Sequence, residues 1–430
     1  MTTAFFTDHY ELSMVDAARQ SGLAERNSVF EVFARNLPAN RRYGVVAGTS
    51  RLLDAISKFR FTGEQLKFLQ HRQVVSTETL DWLTSFEFQG SIRGYAEGEL
   101  FFPGSPILCV EGEFQEVVIL ETLILSVLNY DCAVASAASR MVHAAQGTPL
   151  IEMGSRRIGE HSAIAAARAA FISGFQASSN LEAGLRFGIP TMGTSAHSFT
   201  LLHDSEEDAF EAQLGTMGIG TTLLIDTYDI ESGVKKAIEV AGPELGAVRI
   251  DSGDLPTVVQ QVRNQLDSLG ARQTRIIVTN DLDEFSITEL RNKPVDAYGV
   301  GTSVVTGSGS PTMGLVYKLV ARNSSEGKLE PVAKRSPRKE SMGGRKEAYR
   351  LLRNGTATEE RISSTGSIEE AGESRFLITD FLKEGRRVAE APEEKVLDSA
   401  RSRHKLSISE LPESGLNLES GEPAIKTTIF

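Results

Sequence analysis

The chain has 430 residues, 40% of them apolar and 24% charged; a chain of that length and balance packs into two or three domains and is neither disordered, collagenous nor fibrous. Its 45 Lys and Arg against 57 Asp and Glu give a formal net charge of −12. That balance leaves no broad basic footprint, disfavours nucleic-acid binding, and requires any anionic small substrate to be met by a local cluster of arginines.

The start, MTTAFFTDHYELSM, carries acidic residues and no basic leader segment, so no signal peptide is expected. Tyr10–Ser21 mixes apolar and polar residues at helical spacing, and Val29–Ala34 and Tyr43–Ala47 read as strands on either side of the turn-rich NLPANRR. Ser91–Glu99 and Pro106–Glu111 read as further strands, and Glu116–Ala145 as one long helix ending at Gly147. That helix holds the chain's most apolar stretch, Val117–Val142. Glu121, Asn129, Asp131 and Arg140 interrupt the stretch, which predicts a buried core helix and no membrane partner. The two cysteines, Cys109 and Cys132, form no CxxC pair; they exclude a thiolate zinc site and read as buried thiols in a cytoplasmic, reducing compartment. Residues 1–145 are expected to form an α+β domain.

From 146 to 320 the pattern changes. Short apolar runs at Leu150–Met153, Gly188–Met192, Thr222–Ile225, Ala247–Ile250, Arg275–Val278 and Val295–Val300 alternate with helical stretches at Ala163–Phe175, Ser205–Met217, Ile230–Ala241 and Pro256–Leu269. Repeated strand–helix units, one per roughly 25 residues, predict an α/β fold with a parallel, barrel-like sheet. Residues 321–430 are polar and charge-rich. Arg322–Gly327 and Ser363–Ser374 are turn-dense, and Glu330–Ala333 and Ala348–Leu352 read as short strands.

In parallel α/β folds the C-terminal strand ends share one edge, and sites gather there. Here the six runs lead into GSRR (154–157), GTSAHS (193–198), DTYD (226–229), DSGD (251–254), TNDLDE (279–284) and GTS (301–303) with GSG (307–309). Arg156, Arg157 and Arg249 suit phosphate or carboxylate forks. Asp226, Asp251, Asp254 and Asp281 suit ribose hydroxyls or the water shell of a magnesium ion. Gly301, Thr302, Ser303, Gly307 and Gly309 offer backbone amides to a phosphate. Each signal has a bland counterpart: a Gly/Ser/Thr turn, an aspartate helix cap, a solvated arginine pair, a packed histidine. Their co-occurrence at six successive strand ends is what points to a phosphorylated sugar substrate.

The segments TDHYELSM (7–14), FARNLPANRRYGVVAGT (33–49), ETLILSVLNY (121–130), EMGSRR (152–157), GTSAHSF (193–199), RIDSGDL (249–255), TNDLDE (279–284) and YGVGTSVVTG (298–307) follow one another in order. With them the chain closely resembles bacterial nicotinate phosphoribosyltransferases, members of the type II phosphoribosyltransferase fold. The resemblance implies an N-terminal α+β open-faced sandwich domain (1–145), an irregular (β/α) barrel (146–320), and a C-terminal segment (321–430) that returns to the N-terminal domain. It implies transfer of phosphoribose from phosphoribosyl pyrophosphate to nicotinate, coupled to ATP hydrolysis through a phosphohistidine. It also implies a homodimer whose N-terminal motif completes the neighbour's site.

Carried onto this sequence, the phosphorylated histidine is His197. The nicotinate contacts fall on Tyr10, Thr194 and Arg249, the ribose-binding aspartate on Asp251, and the phosphate loop on Gly301 and Thr302. Arg156 matches a basic position near the pyridine and the ribose phosphates, and Asn280, in TNDLDE, joins the substrate-binding set. Asn180 stands where nicotinamide-using relatives carry an aspartate, which favours an anionic ring substituent. Magnesium would be held through substrate phosphates, its direct protein ligands being unassigned. ATP must use the same strand-end edge, because GTSRLLD (48–54) lacks the Gly-Lys pair of a Walker A loop. A nicotinamide or quinolinate phosphoribosyltransferase of the same fold, and more remotely a non-catalytic binding module, are the alternatives. A Schiff-base aldolase is disfavoured because no strand end carries a lysine.

Overall fold

The segment NSVFEVFA, Asn27–Ala34, is rich in β-branched and aromatic residues and is buried along almost its whole length. It sits inside a seven-stranded antiparallel sheet ordered Leu329–Pro331, Leu315–Asn323, Asn27–Ala34, Leu108–Glu113, Ser91–Tyr95, Ile378–Lys383, Arg386–Arg387. In register, Val32 faces Tyr317 on one side and Leu108 on the other. The computed structural model describes residues 2–334, 342–364 and 373–430. The chain divides into two units, one of Met1–Ser136 with Ser310–Phe430, the other of Ala137–Gly309.

In the first unit the sheet packs its apolar face on helices His9–Gln20, Thr49–Ser57, Gly63–His71 and Thr77–Thr84, through a core that includes Leu12, Val15, Phe30, Val32, Leu52, Ile56, Leu69, Leu83, Ile92 and Val110. Local chemistry starts two of these helices. Thr62 and Gln65 form a reciprocal capping box, and the Ser76 hydroxyl accepts from the Thr79 amide. The C-terminal part adds a four-stranded sheet ordered Ser374–Phe376, Glu347–Arg353, Thr356–Ser363, Lys426–Ile429. Its hairpin turns on Asn354-Gly355, both left-handed, the pair a tight two-residue turn requires.

Buried charge ties the returning chain to the N-terminal strands. Arg350 donates to Glu99 at 2.8 Å and to Glu360 at 2.7 Å, Tyr95 donates to Glu360 at 2.8 Å, and Lys346 donates to both oxygens of Glu31. Such pairs hold register because removing one partner strands the other in a dry interior.

The second unit holds six parallel strands ordered Ala177–Ser178, Leu150–Glu152, Ala297–Val300, Arg275–Val278, Ala247–Ile250, Thr222–Leu224. Neighbours in the sheet are neighbours in the chain, except that Leu150–Glu152 pairs with Ala297–Val300, while Ala177–Ser178 and Thr222–Leu224 end the sheet unpaired with each other. That is the strand order of a barrel with one seam open, the irregular barrel expected. Helices Glu160–Ile172, Glu206–Met217, Ile230–Ala241, Leu255–Ser268 and Glu284–Leu290 alternate with the strands.

Two element readings change. Gly188–Met192 is not a strand. Gly188 is the left-handed cap of the helix Leu181–Phe187, Pro190 has no amide to donate, and Thr191 makes only one bridge, to Ser178. The helix expected over Glu116–Ala145 is two, Phe114–Val118 and Glu121–Ala145. The longer one is the single helix among the described residues with the length and apolar content to cross a membrane. Cys132, Ala133, Val134, Ala137, Ala138 and Met141 on it are fully buried inside the protein. Of the turn-dense Ser363–Ser374, positions 365–372 lie outside the described residues.

Candidate active site

The parallel strands place their following loops on one edge, and close backbone approach sets the spacing. A Cβ on Gly233 would fall 2.2 Å from the Ile225 carbonyl oxygen, so the Ile230–Ala241 helix lies hard against the strand end that carries Asp226. A Cβ on Gly154 would fall 2.2 Å from Val305 and 2.9 Å from the Gly301 oxygen, which presses the 153–157 loop onto the loop at 301.

His197 opens the short helix His197–Leu202, its side chain about a third exposed. Its Nε2 stands 3.9 Å from Asp226 Oδ1 and 3.7 Å from Asp251 Oδ2, and its Nδ1 lies 3.2 Å from the Thr227 hydroxyl. Asp226 is fully buried at its carboxylate. One oxygen accepts from the Asp251 amide at 2.8 Å and the Ser252 hydroxyl at 2.6 Å; the other, facing His197, has no hydrogen-bond partner among the described residues. Asp251 is not spent on a helix cap. Its Oδ1 accepts from the Thr279 hydroxyl at 2.6 Å, which leaves Oδ2 toward His197. Asp229 and Asp283, by contrast, do cap the helices that follow them.

Arg249 lies between Val248 and Ile250, which are both fully buried, so strand alternation turns its side chain to the other face. Burial lowers its pKa; the charges of Asp251 and Asp226 oppose that shift and Arg156 adds to it. The Arg249 Nε is buried without a hydrogen-bond partner among the described residues. At this strand-end edge, beside the loops that carry Asp226 and Asp251, a guanidinium in that state is able to take an anionic ligand.

A second hub orders the neighbouring loops. Glu152, fully buried, accepts from the Gly154 amide and the Ser178 hydroxyl, both at 2.5 Å, and Ser178 accepts from the Asn180 amide at 2.9 Å. Burial raises the Glu152 pKa and these hydrogen bonds oppose the rise. The Asn180 side chain caps the Leu181–Phe187 helix through its oxygen and donates to Ser155 at 3.0 Å, so its polar atoms are engaged within the protein.

Thr194 lies in the segment before His197, and Arg156 is exposed in the loop after Leu150–Glu152. Asn280 and Asp281 are both left-handed, φ 96° and 38°, an uncommon conformation for side chains other than glycine that marks a held loop beside Thr279. Gly301 and Thr302 begin the Thr302–Val305 turn, followed by three left-handed residues, Gly307, Ser308 and Gly309. Ser308 donates to Glu284 at 2.6 Å, and Glu284 pairs with buried Arg140 at 2.9 Å, which anchors that loop. Tyr10 belongs to the first unit, on His9–Gln20. It is half-exposed, and partial burial with Glu121 and Glu11 nearby pushes its pKa up to about 12. The second unit thus brings His197, Arg249 and Asp251 together with Asp226 and Thr227. Thr227, Thr279, Glu152 and Ser178, whose direct contacts order the site, are not among the candidates read from the sequence, although all four lie within three residues of a strand end.

Residues 5–129 match the model of the nicotinate phosphoribosyltransferase N-terminal domain. The chain is 54% identical to the Mycobacterium tuberculosis nicotinate phosphoribosyltransferase pncB1, over 98% of this chain and 94% of that protein. It is 36% identical to the Bacillus subtilis nicotinate phosphoribosyltransferase, over 80% of this chain and 72% of the other. The structure of human nicotinic acid phosphoribosyltransferase superposes with a TM-score of 0.83, covering 98% of this chain and 97% of that one at 24% identity, which shows a shared fold. With near-full-length identity of that order, the chain belongs to the nicotinate phosphoribosyltransferase family.

Proposed function

We propose that the chain transfers phosphoribose from phosphoribosyl pyrophosphate to the ring nitrogen of nicotinate, releasing nicotinate mononucleotide and pyrophosphate, as a step of NAD salvage. We propose further that ATP drives the step by phosphorylating His197. The observation that carries this reading is the meeting of His197, Asp226, Asp251 and Arg249 on one strand-end edge, in a chain 54% identical to a nicotinate phosphoribosyltransferase.

Departure of pyrophosphate leaves positive charge on the ribose, so catalysis needs the leaving group neutralised and the nucleophile held in line. The pyridine nitrogen is already nucleophilic and needs no strong base. Arg249 would take the ring carboxylate in a two-pronged hydrogen bond. Thr194 would flank the ring, and the partner subunit's Tyr10 would stack on it, which makes the working unit a homodimer; its buried free thiols, Cys109 and Cys132, suit the cytoplasm. The free oxygen of Asp251 would accept from the ribose hydroxyls. Gly301 and Thr302 would offer amides to its phosphate, with Asn280 lining the same site and Arg156 adding charge. Asn180, being neutral, sets no negative charge against an anionic ring. Magnesium would enter as part of the substrate, carried on the phosphates of the pyrophosphate and of ATP. A phosphoryl group on His197 would add acceptor oxygens beside the donor site, raising its affinity, and hydrolysis after turnover would favour release.

A mass-balance assay with nicotinate, phosphoribosyl pyrophosphate, magnesium and ATP tests this reading, following nucleotide and ADP together. Nucleotide formed with concurrent ADP supports it; nucleotide formed at the same rate and extent without ATP would remove the coupling. Absence of nucleotide would leave the binding-module alternative.

A further inference from the structure

The two nitrogens of His197 face different chemistry. Nε2 looks between two carboxylates, Asp226 at 3.9 Å and Asp251 at 3.7 Å, while Nδ1 meets one neutral hydroxyl, Thr227 Oγ1, at 3.2 Å. Arg249, two residues before Asp251, is a cation that interacts with both carboxylates. A pair of carboxylates favours an N–H over a bare lone pair at Nε2, and repels an incoming phosphoryl group there. The Nδ1 lone pair is then the one that faces Thr227, and the Thr227 O–H donates to it. Thr227 is half-buried and follows directly on Asp226, so one turn of backbone fixes both the carboxylate and the hydroxyl.

We propose that Thr227 is a positioning residue: its hydroxyl holds the His197 ring so that Nδ1 is the nitrogen presented to ATP. This rests on the phosphohistidine reading above. The Nδ1 lone pair forms the N–P bond to the γ-phosphorus, the bond from that phosphorus to its bridging oxygen breaks, and ADP leaves with the electron pair. The proton on Nε2 stays, the ring becomes cationic, and Asp226 and Asp251 face that charge. The Thr227 hydroxyl, released from Nδ1, is placed to donate to a phosphoryl oxygen.

The test uses the full-length protein, γ-labelled ATP and magnesium, with base quench to preserve phosphohistidine. Wild type, Thr227→Ser and Thr227→Val are compared for the rate of label uptake, its dependence on ATP concentration, and the phosphohistidine isomer read by phosphorus NMR of the unfolded chain. Val keeps the shape of Thr without the hydroxyl, and a thermal melt checks that each variant is folded. We expect Ser to keep most of the rate and the Nδ1 isomer. We expect Val to lose about tenfold to a hundredfold in maximal rate, the scale on which orienting partners of a histidine act. The ATP concentration at half-saturation should change much less, and the label on Val should be mixed between the two nitrogens. A folded Val variant with the wild-type rate and isomer overturns the role of Thr227, as does label on Nε2 in wild type. No label on wild type at all overturns the phosphohistidine reading itself, and the role of Thr227 falls with it; that outcome is distinguishable because it precedes any variant.

Discussion

Removing the Arg249 guanidinium should separate recognition of the ring carboxylate from recognition of the ring. Its Nε is buried and lacks a hydrogen-bond partner among the described residues, and burial has already lowered its pKa against the pull of Asp251 and Asp226. A bound carboxylate would supply the missing acceptor with a charge-assisted interaction worth about 1.5–3 kcal/mol. At 1.4 kcal/mol per factor of ten, Arg249→Ala should weaken nicotinate binding by about tenfold to a hundredfold. Calorimetric titration of nicotinate and nicotinamide into wild type and variant reads this directly. The neutral amide should lose much less than the anion, so the preference between the two should collapse. Arg249→Lys should recover only part of the loss, because an ammonium lacks the planar fork. Unchanged nicotinate binding, or an equal loss for both rings, would refute the reasoning and put the carboxylate elsewhere.

Arg350→Met leaves buried Glu360 without its cation, though Tyr95 still donates to it, and removes one partner of Glu99; it should lower unfolding free energy by about 3–5 kcal/mol in urea melts, and a loss under about 1 kcal/mol would deny the network its structural role. Burial alone would raise the Glu99 pKa, but Arg350, Arg375 and Ser407 hold it down at about 2, below the ordinary 4.5. Its contribution, about 3 kcal/mol, is therefore fully present above pH 4.5 and disappears as the pH falls toward about 2. Urea midpoints measured between those limits should fall less steeply for Glu99→Gln. If active sites are shared across a homodimer, mixing Tyr10→Ala with Arg249→Ala subunits yields one intact site per mixed dimer, and roughly a quarter of wild-type activity should return. No recovery despite subunit exchange would mean that Tyr10 serves its own chain.

The strand-end edge was readable because each parallel strand is a short apolar run and the residue after it is free to be polar. Thr222–Leu224 with Asp226, and Ala247–Ile250 with Asp251, follow that rule. Ala177–Ser178 did not announce itself, since a two-residue strand carries no periodicity. The nearby GIPTM run, apolar but holding Gly and Pro, drew the strand reading instead. The helices at Gly63–His71 and Thr77–Thr84 are short and carry little periodicity, and their sequence signal is in their caps, Thr62 with Gln65 and Ser76 with Thr79. Candidate residues were legible by type, but their partners were not. Nothing in the sequence sets Thr279 on Asp251 across 28 positions, or Ser178 on Glu152 across 26, because sheet pairing alone brings those loops together. Asn180, placed near the ring by the resemblance, also caps a helix and bonds Ser155, contacts that its residue type alone does not announce.

Whether this edge joins phosphoribose to nicotinate is decided by a substrate panel. Nicotinate, nicotinamide and quinolinate, each supplied with phosphoribosyl pyrophosphate, magnesium and ATP, should be compared for nucleotide formed and carbon dioxide released. Nicotinate mononucleotide should form from nicotinate in large excess over the other two products, without carbon dioxide, and should fall sharply in Arg249→Ala. Nucleotide from quinolinate with matching carbon dioxide, or an equal rate from nicotinamide, would contradict it.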